Sequence, residues 1–128
     1  MIALNNMINS KEYWDKRFVD NWEINAGREQ TMFFCNLTIN LFPKWLIEEL
    51  ESGLTFGDIG CAEGDCTNYL ANRFPKSNFT GIDFSEEAIR KASTLYPEVN
   101  YRAMDISKMD QKYDVIYSYI RRMQNEKN

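Results

Sequence analysis

The chain has 128 residues, of which 44% are apolar and 27% charged, and it reads as one soluble domain able to bury roughly two thirds of its unfolded surface. A net charge of −4 and a pI near 4.9 offer no extended basic face for a phosphate backbone, so no nucleic-acid partner is expected. No apolar run approaches the roughly 20 residues that span a bilayer, and the opening Met1 to Asn6 lacks the parts of a signal peptide, so a cytoplasmic location without a membrane partner is expected.

The first third, residues 1–52, reads as helical. Trp14, Phe18 and Trp22 are aromatic at a density that favours core packing over a substrate cage. From Arg28 to Asn40 a helical period runs through Met32, Phe33, Leu37 and Leu41, and Pro43 sits early in a second helix ending at Leu50. These helices are expected to cover one face of a sheet. Arg28 and Gln30 could reach a ligand carboxylate, though solvation is the plainer role. Glu51-Ser52-Gly53 marks the boundary between this helical region and an alternating strand–helix region.

Leu54 to Asp65 reads as a strand running into a glycine-rich turn that opens a helix. Asp58 precedes Gly60, and small residues recur at Gly60, Ala62 and Gly64, so the backbone can turn tightly and approach a ligand closely. A carboxylate at the strand end suits a cationic amine. A dinucleotide-binding turn, Gly-x-Gly-x-x-Gly, would want glycine at 62 and 65 and finds Ala62 and Asp65. The helix from Asp65 carries Tyr69, Leu70 and Phe74 and stops at Pro75. Asn78 to Phe84 is a second strand closing on Asp83, where an acid can accept both hydroxyls of a ribose or simply cap the next helix. That helix starts at Ser85-Glu86-Glu87, and its apolar residues are Ala88, Ile89, Ala92 and Leu95. Val99 to Ile106 forms a third strand ending in Asp105, and Tyr113 to Tyr119 a fourth. Residues 120–128 are a polar tail. Cys35, Cys61 and Cys66 are odd in number and lack Cys-x-x-Cys spacing, so neither a disulfide nor a metal site is expected, and Cys61 and Cys66 read as small fillers.

The order acid, Gly60, Ala62, Gly64 resembles the first motif of the class I S-adenosylmethionine-dependent methyltransferases, with Ala62 standing at the middle glycine. Asp83, Asp105 and Tyr113-Asp114-Val115-Ile116 come at that family's later landmarks, and Tyr13-Trp14-Asp15 resembles the opening of many of its small-molecule members. The resemblance implies a Rossmann-like α/β three-layer sandwich, here truncated to a mostly parallel sheet of about four strands in the order 3-2-1-4, preceded by N-terminal helices. It implies S-adenosylmethionine as cofactor, S-adenosylhomocysteine as product, and no metal. The cofactor would meet Asp58, Gly60, Cys61, Ala62 and Gly64 at the turn. Asp83 would hold the ribose, Phe84 would lie against adenine, Asp105 and Ile106 would take the adenine edge, and Ser118 would close the site from the fourth strand.

On this layout residues 1–52 form a lid or cap, 53–119 the cofactor-binding core, and 120–128 the tail. A small-molecule acceptor is expected, with no residue singled out as catalytic: histidine is absent, so a base would be a carboxylate, a tyrosine or the acceptor itself. The resemblance ends after four of seven strands, which reads as a fragment or short member holding the cofactor without a finished active site. The alternative is a non-catalytic binding or interaction module. A fourth strand left at an edge would invite a second copy, giving a homodimer.

Overall fold

From Thr55 onward, short runs rich in β-branched and aromatic residues alternate with helices whose apolar side chains share one face. The computed structural model describes residues 10–20 and 27–118; Trp22, Tyr119 and the tail 120–128 lie outside the described residues. Three helices come first, α1 (Lys11–Asp20), α2 (Gly27–Leu41) and α3 (Lys44–Ser52), followed by β1 (Thr55–Ile59) and α4 (Asp65–Arg73). Then come β2 (Asn78–Asp83), α5 (Glu86–Leu95), β3 (Asn100–Ala103), a 3-10 turn over Ile106–Lys108, and β4 (Val115–Ser118).

The four strands are parallel and lie in the order β3-β2-β1-β4. The chain therefore steps outward from β1 to β3 and returns to the other side of β1, which creates a switch point between β1 and its two neighbours. In parallel sheets, ligands bind outside the carboxyl ends of the strands at such a point.

Side-chain alternation along the strands sets the two faces. Phe56 pairs in register with Phe79 and Val115, and all three turn toward the helices. There Leu46 and Leu50 of α3, with Leu70 of α4 and Phe74 just beyond it, close over Phe56 and Phe79 in the main core. Phe56, Phe74 and Leu50 are fully buried. The next residue along β4, Ile116, falls on the opposite face and is 52% exposed. Ser85 caps α5 by accepting a hydrogen bond from the Ala88 amide at 3.1 Å, as its position before Glu86-Glu87 implies. Pro43 stands just before α3 with φ −67°, where its missing N–H costs nothing.

Two helices bury only part of their apolar sets. Phe33, Leu37 and Leu41 of α2 point outward, 62%, 46% and 74% exposed, while Met32, Cys35 and Ile39 of the same helix pack on the core. Both stripes have helical spacing, and the packing partner chose the narrower one. Leu95 likewise lies 47% exposed at the end of α5, whose buried face is Ala88, Ile89 and Ala92. β2 begins at Asn78 as expected, whereas β3 keeps only Asn100–Ala103 of the run from Val99 to Ile106 in the ladder and β4 begins at Val115, two residues after Tyr113.

Candidate functional site

β1 ends at Ile59, and the backbone then passes through three left-handed residues, Gly60 at φ 78°, Ala62 at φ 55° and Gly64 at φ 88°. The turn is pinned from β2. The Gly60 and Cys61 amides both donate to the Ile82 carbonyl, at 2.7 and 3.0 Å, and the Ala62 amide donates to Asp83 Oδ2 at 2.9 Å. Asp83 Oδ1 accepts from the Ser85 amide at 3.0 Å, so this one carboxylate fixes the glycine turn and the entry to α5 together. Gly64 is required for a different reason. A Cβ there would lie 2.6 Å from the Tyr101 hydroxyl, which donates to the Gly64 carbonyl at 2.9 Å. The turn is closed by the ring of Tyr101 on its outer side.

On the inner side lies a cavity of about 350 Å³, near the lower end of the range for small-molecule sites. Asp58, Gly60, Cys61 and Ala62 form its floor, and Asp83, Phe84, Asp105 and Ile106 line it from the ends of β2 and β3. Trp14 and Phe18 of α1, with Thr31 and Phe34 of α2, line it from the helices. The sequence landmarks on three separate strands thus converge on one enclosure. Gly64 and Ser118 do not line it. Gly64 is turned toward Tyr101, and Ser118 follows Tyr117 on the strand, so alternation sends it to the exposed face while Tyr117 faces the cavity.

The carboxylates differ sharply in surroundings. Asp58 is buried and accepts from Thr67 Oγ1 at 2.6 Å; burial pushes its pKa up to about 7, with the nearby charge of Asp83 acting in the same direction. Burial also raises Asp83, to about 6, against the opposing pull of the Ser85 and Ala62 amides. Asp105 is exposed, and its Oδ1 accepts from the Ser107 amide at 2.9 Å and hydroxyl at 2.8 Å, which hold its carboxyl below the usual range. It therefore caps the 3-10 turn at the cavity mouth. The Cys61 thiol is pushed up by burial, so it stays protonated.

A disulfide joins Cys35 of α2 to Cys66 of α4, with Cα atoms 5.6 Å apart, which corrects the expectation of unpaired cysteines. The residues are 31 apart in sequence and meet only because α2 lies along α4, so no local spacing announces them. Both line the cavity. Arg28, considered for a ligand carboxylate, donates instead from Nε to Asp65 Oδ1 at 3.1 Å and lies 3.8 Å from Glu63. Trp14 and Phe18 pack with Ala62 and Ala88 and also wall the cavity, so core and site share them. The contribution of α2 to the wall was the part invisible to a reading of strand landmarks, because it arrives from another layer.

A glycine turn at the first strand, an acid at the end of the second and a cavity at the switch point define a class I S-adenosylmethionine-dependent methyltransferase fold. The chain belongs to that family: a methyltransferase domain model matches residues 57–127. It is similar to the putative methyltransferase 235L of Invertebrate iridescent virus 6, at 36% identity over 83 residues, covering 62% of this chain and 31% of that protein. The trans-aconitate 2-methyltransferase of Variovorax paradoxus is 38% identical over 64 residues, or 48% of this chain and 25% of the relative. The solved structure of the plantazolicin methyltransferase BpumL in complex with SAH superposes with a TM-score of 0.63 at 26% identity, over 84% of this chain and 46% of that one. The chain thus spans between a quarter and a third of the curated relatives' length. Among the described residues no helix is long and apolar enough to cross a membrane.

The residues present fit the family's cofactor. The enclosure is apolar over most of its wall and presents carboxylates where a ligand with hydroxyls, an aromatic ring and a cationic centre would need acceptors and counter-charge. Asp58 and Asp83 line this cavity and are raised by burial, so hydrogen-bond donors or a positive charge beside them would favour their charged forms.

Proposed function

We propose that this chain binds S-adenosylmethionine in the cavity and that the protein it represents methylates a small-molecule acceptor. The observation that carries the reading is the convergence of Asp83, the Gly60–Ala62 turn and Asp105 on one cavity at the carboxyl edge of the sheet. Asp83 is the ribose acceptor in this reading. Its oxygens already bind the Ala62 and Ser85 amides, which hold the carboxylate still and leave lone pairs for two hydroxyls. Phe84 and Ile106 offer apolar faces for the adenine, and Asp105 an acceptor at its edge. Asp58 works from beneath the turn, its carboxylate held by Thr67.

Bound S-adenosylmethionine would supply an electrophilic methyl group, and the chain's part is to position it. Holding reactants in line is worth up to roughly 7–11 kcal/mol in favourable cases. Trp14, Phe18 and Phe34 give the cavity an aromatic, apolar wall on its helical side. The similarity to trans-aconitate 2-methyltransferases, named for a small acid, supports a small acceptor. The test is a thermal melt with S-adenosylhomocysteine. At 100 times the dissociation constant, a ligand binding only the folded state adds about 2.7 kcal/mol of stability. A folded chain whose melt does not move at millimolar ligand would sink the reading.

A further inference from the structure

The wall that α2 lends to the cavity is fastened to the first turn of α4 at two places, while further along the helix Met32 and Ile39 pack on the core and Thr38 shares a hydrogen bond of 2.9 Å with the Tyr117 hydroxyl. Arg28, in the first turn of α2, reaches Asp65, the residue after Gly64, through Nε to Oδ1 at 3.1 Å. Two turns later Cys35 is bonded to Cys66, the next residue of α4. Between these fastenings α2 presents Thr31 and Phe34 to the cavity. The outward stripe of the same helix, Phe33, Leu37 and Leu41, is exposed, with Phe33 edge-on to Phe34. The Arg28 ion pair is 43% exposed on the arginine side and is weakened by solvent. The covalent bond is the stronger hold.

We propose that the Cys35–Cys66 pair is a redox-operated tether of the cofactor cavity: as a disulfide it seats α2 as a wall, and as two thiols it lets that wall swing and weakens cofactor binding. The inference rests on the cofactor reading of the cavity. The step is an exchange with a dithiol. A thiolate of the reductant attacks one sulfur, the Cys35–Cys66 bond breaks, and the second thiolate closes the reductant into its own disulfide. Two electrons pass from the dithiol to the protein, and Cys35 and Cys66 each take up a proton. Cys61 lines the same cavity but does not interfere, because burial pushes its thiol up and holds it protonated, so it is no nucleophile for the disulfide.

Access makes the coupling reciprocal. Cys35 is 2% exposed and Cys66 7%, and both open onto the cavity, so the reductant's path is the space the cofactor would fill. Linkage requires that if the disulfide form binds the cofactor more tightly, the bound cofactor favours the disulfide by the same factor. A reduced chain with α2 seated in about a tenth of molecules would bind about tenfold more weakly.

The experiment is calorimetry of the whole chain with S-adenosylhomocysteine, after oxidation by glutathione disulfide and again in excess dithiothreitol, with amide exchange followed in parallel. The expected result is about a tenfold rise in dissociation constant on reduction. Cys35→Ser and Cys66→Ser should bind like the reduced chain in both buffers. Exchange over residues 27–41 should quicken while β1 and β2 stay protected, which separates release of α2 from unfolding. Saturating S-adenosylhomocysteine should raise the dithiothreitol concentration needed for half-reduction. Equal affinity in the two states, serine variants that bind like the oxidised chain, or alkylation showing Cys35 and Cys66 still as thiols after oxidation would each overturn the tether. If neither state binds S-adenosylhomocysteine while the sheet stays protected, the cofactor reading fails, and the exchange of residues 27–41 alone then decides whether the pair fastens α2.

Discussion

Asp58 carries a carboxyl in surroundings that oppose its charge, since it is 3% exposed and has a single hydroxyl partner in Thr67. Burial raises it to about 7, against an unfolded value near 3.9. The folded state therefore binds more protons than the unfolded one between these values. The stability this group contributes is fully present below about pH 4 and is lost as pH rises through about 7. Asp58→Asn keeps an oxygen to accept from Thr67 and removes the charge. Its stability relative to the parent chain should rise steadily from pH 4 to pH 7 and then level, each pKa unit being about 1.4 kcal/mol. Urea melts of both chains across that range check it, and parallel curves would show that Asp58 is not charged against its will. Gly64 shows the other kind of residue-level demand. It was expected on the cofactor's side of the turn, and its necessity comes from Tyr101 behind it.

At the scale of elements, α2 shows what an apolar period does and does not determine. Met32, Phe33, Leu37 and Leu41 have helical spacing, and the helix is there from Gly27 to Leu41, but a 15-residue helix with apolar residues on two sides leaves the buried side to its neighbours. Cys35 decides it by meeting Cys66, and the larger side chains go to the surface. The strands were legible for the opposite reason. Three of them run into a glycine or an acid, Gly60 after β1, Asp83 at the end of β2 and Asp105 just beyond β3, and the parallel register brings these breaks to one edge. The consequence is measurable. Leu41→Lys should change stability by less than about 0.5 kcal/mol, whereas Leu70→Ala, 2% exposed against Phe56 and Phe79, should cost about 2–5 kcal/mol. Denaturant midpoints of the two variants test which side of the helical layer holds the sheet, and a large loss at Leu41 would mean that its stripe is covered.

Over the whole molecule, the candidate site is where the ends of three strands meet two helices from another layer, and its legibility was uneven for that physical reason. The turn, Asp83 and Asp105 lie at strand ends, so topology alone brings them together once the strand order is known. Thr31, Phe34 and Cys35 reach the cavity through helix packing, which leaves no motif. The acids so assembled belong to a chain of net charge −4, and they couple ligand binding to pH. Burial raises Asp83 to about 6, with the charge of Asp15 on α1 acting in the same direction; Asp58 of β1, itself pushed up to about 7 by burial and by the charge of Asp83, also faces it. As acceptor of two hydroxyls it must be ionised, so a proton competes with the ligand. The dissociation constant for S-adenosylhomocysteine should therefore be flat above about pH 7 and rise below about pH 6, by at most tenfold per pH unit for one proton taken up. The folded state survives this range as far as these two groups are concerned, because protonating buried carboxyls with raised values favours folding. Calorimetry from pH 8 to pH 5 measures the profile, and Asp83→Asn should flatten it at the weaker affinity. An affinity that holds steady down to pH 5 in the parent chain would remove Asp83 as the ionised acceptor and move the ribose to another wall of the cavity.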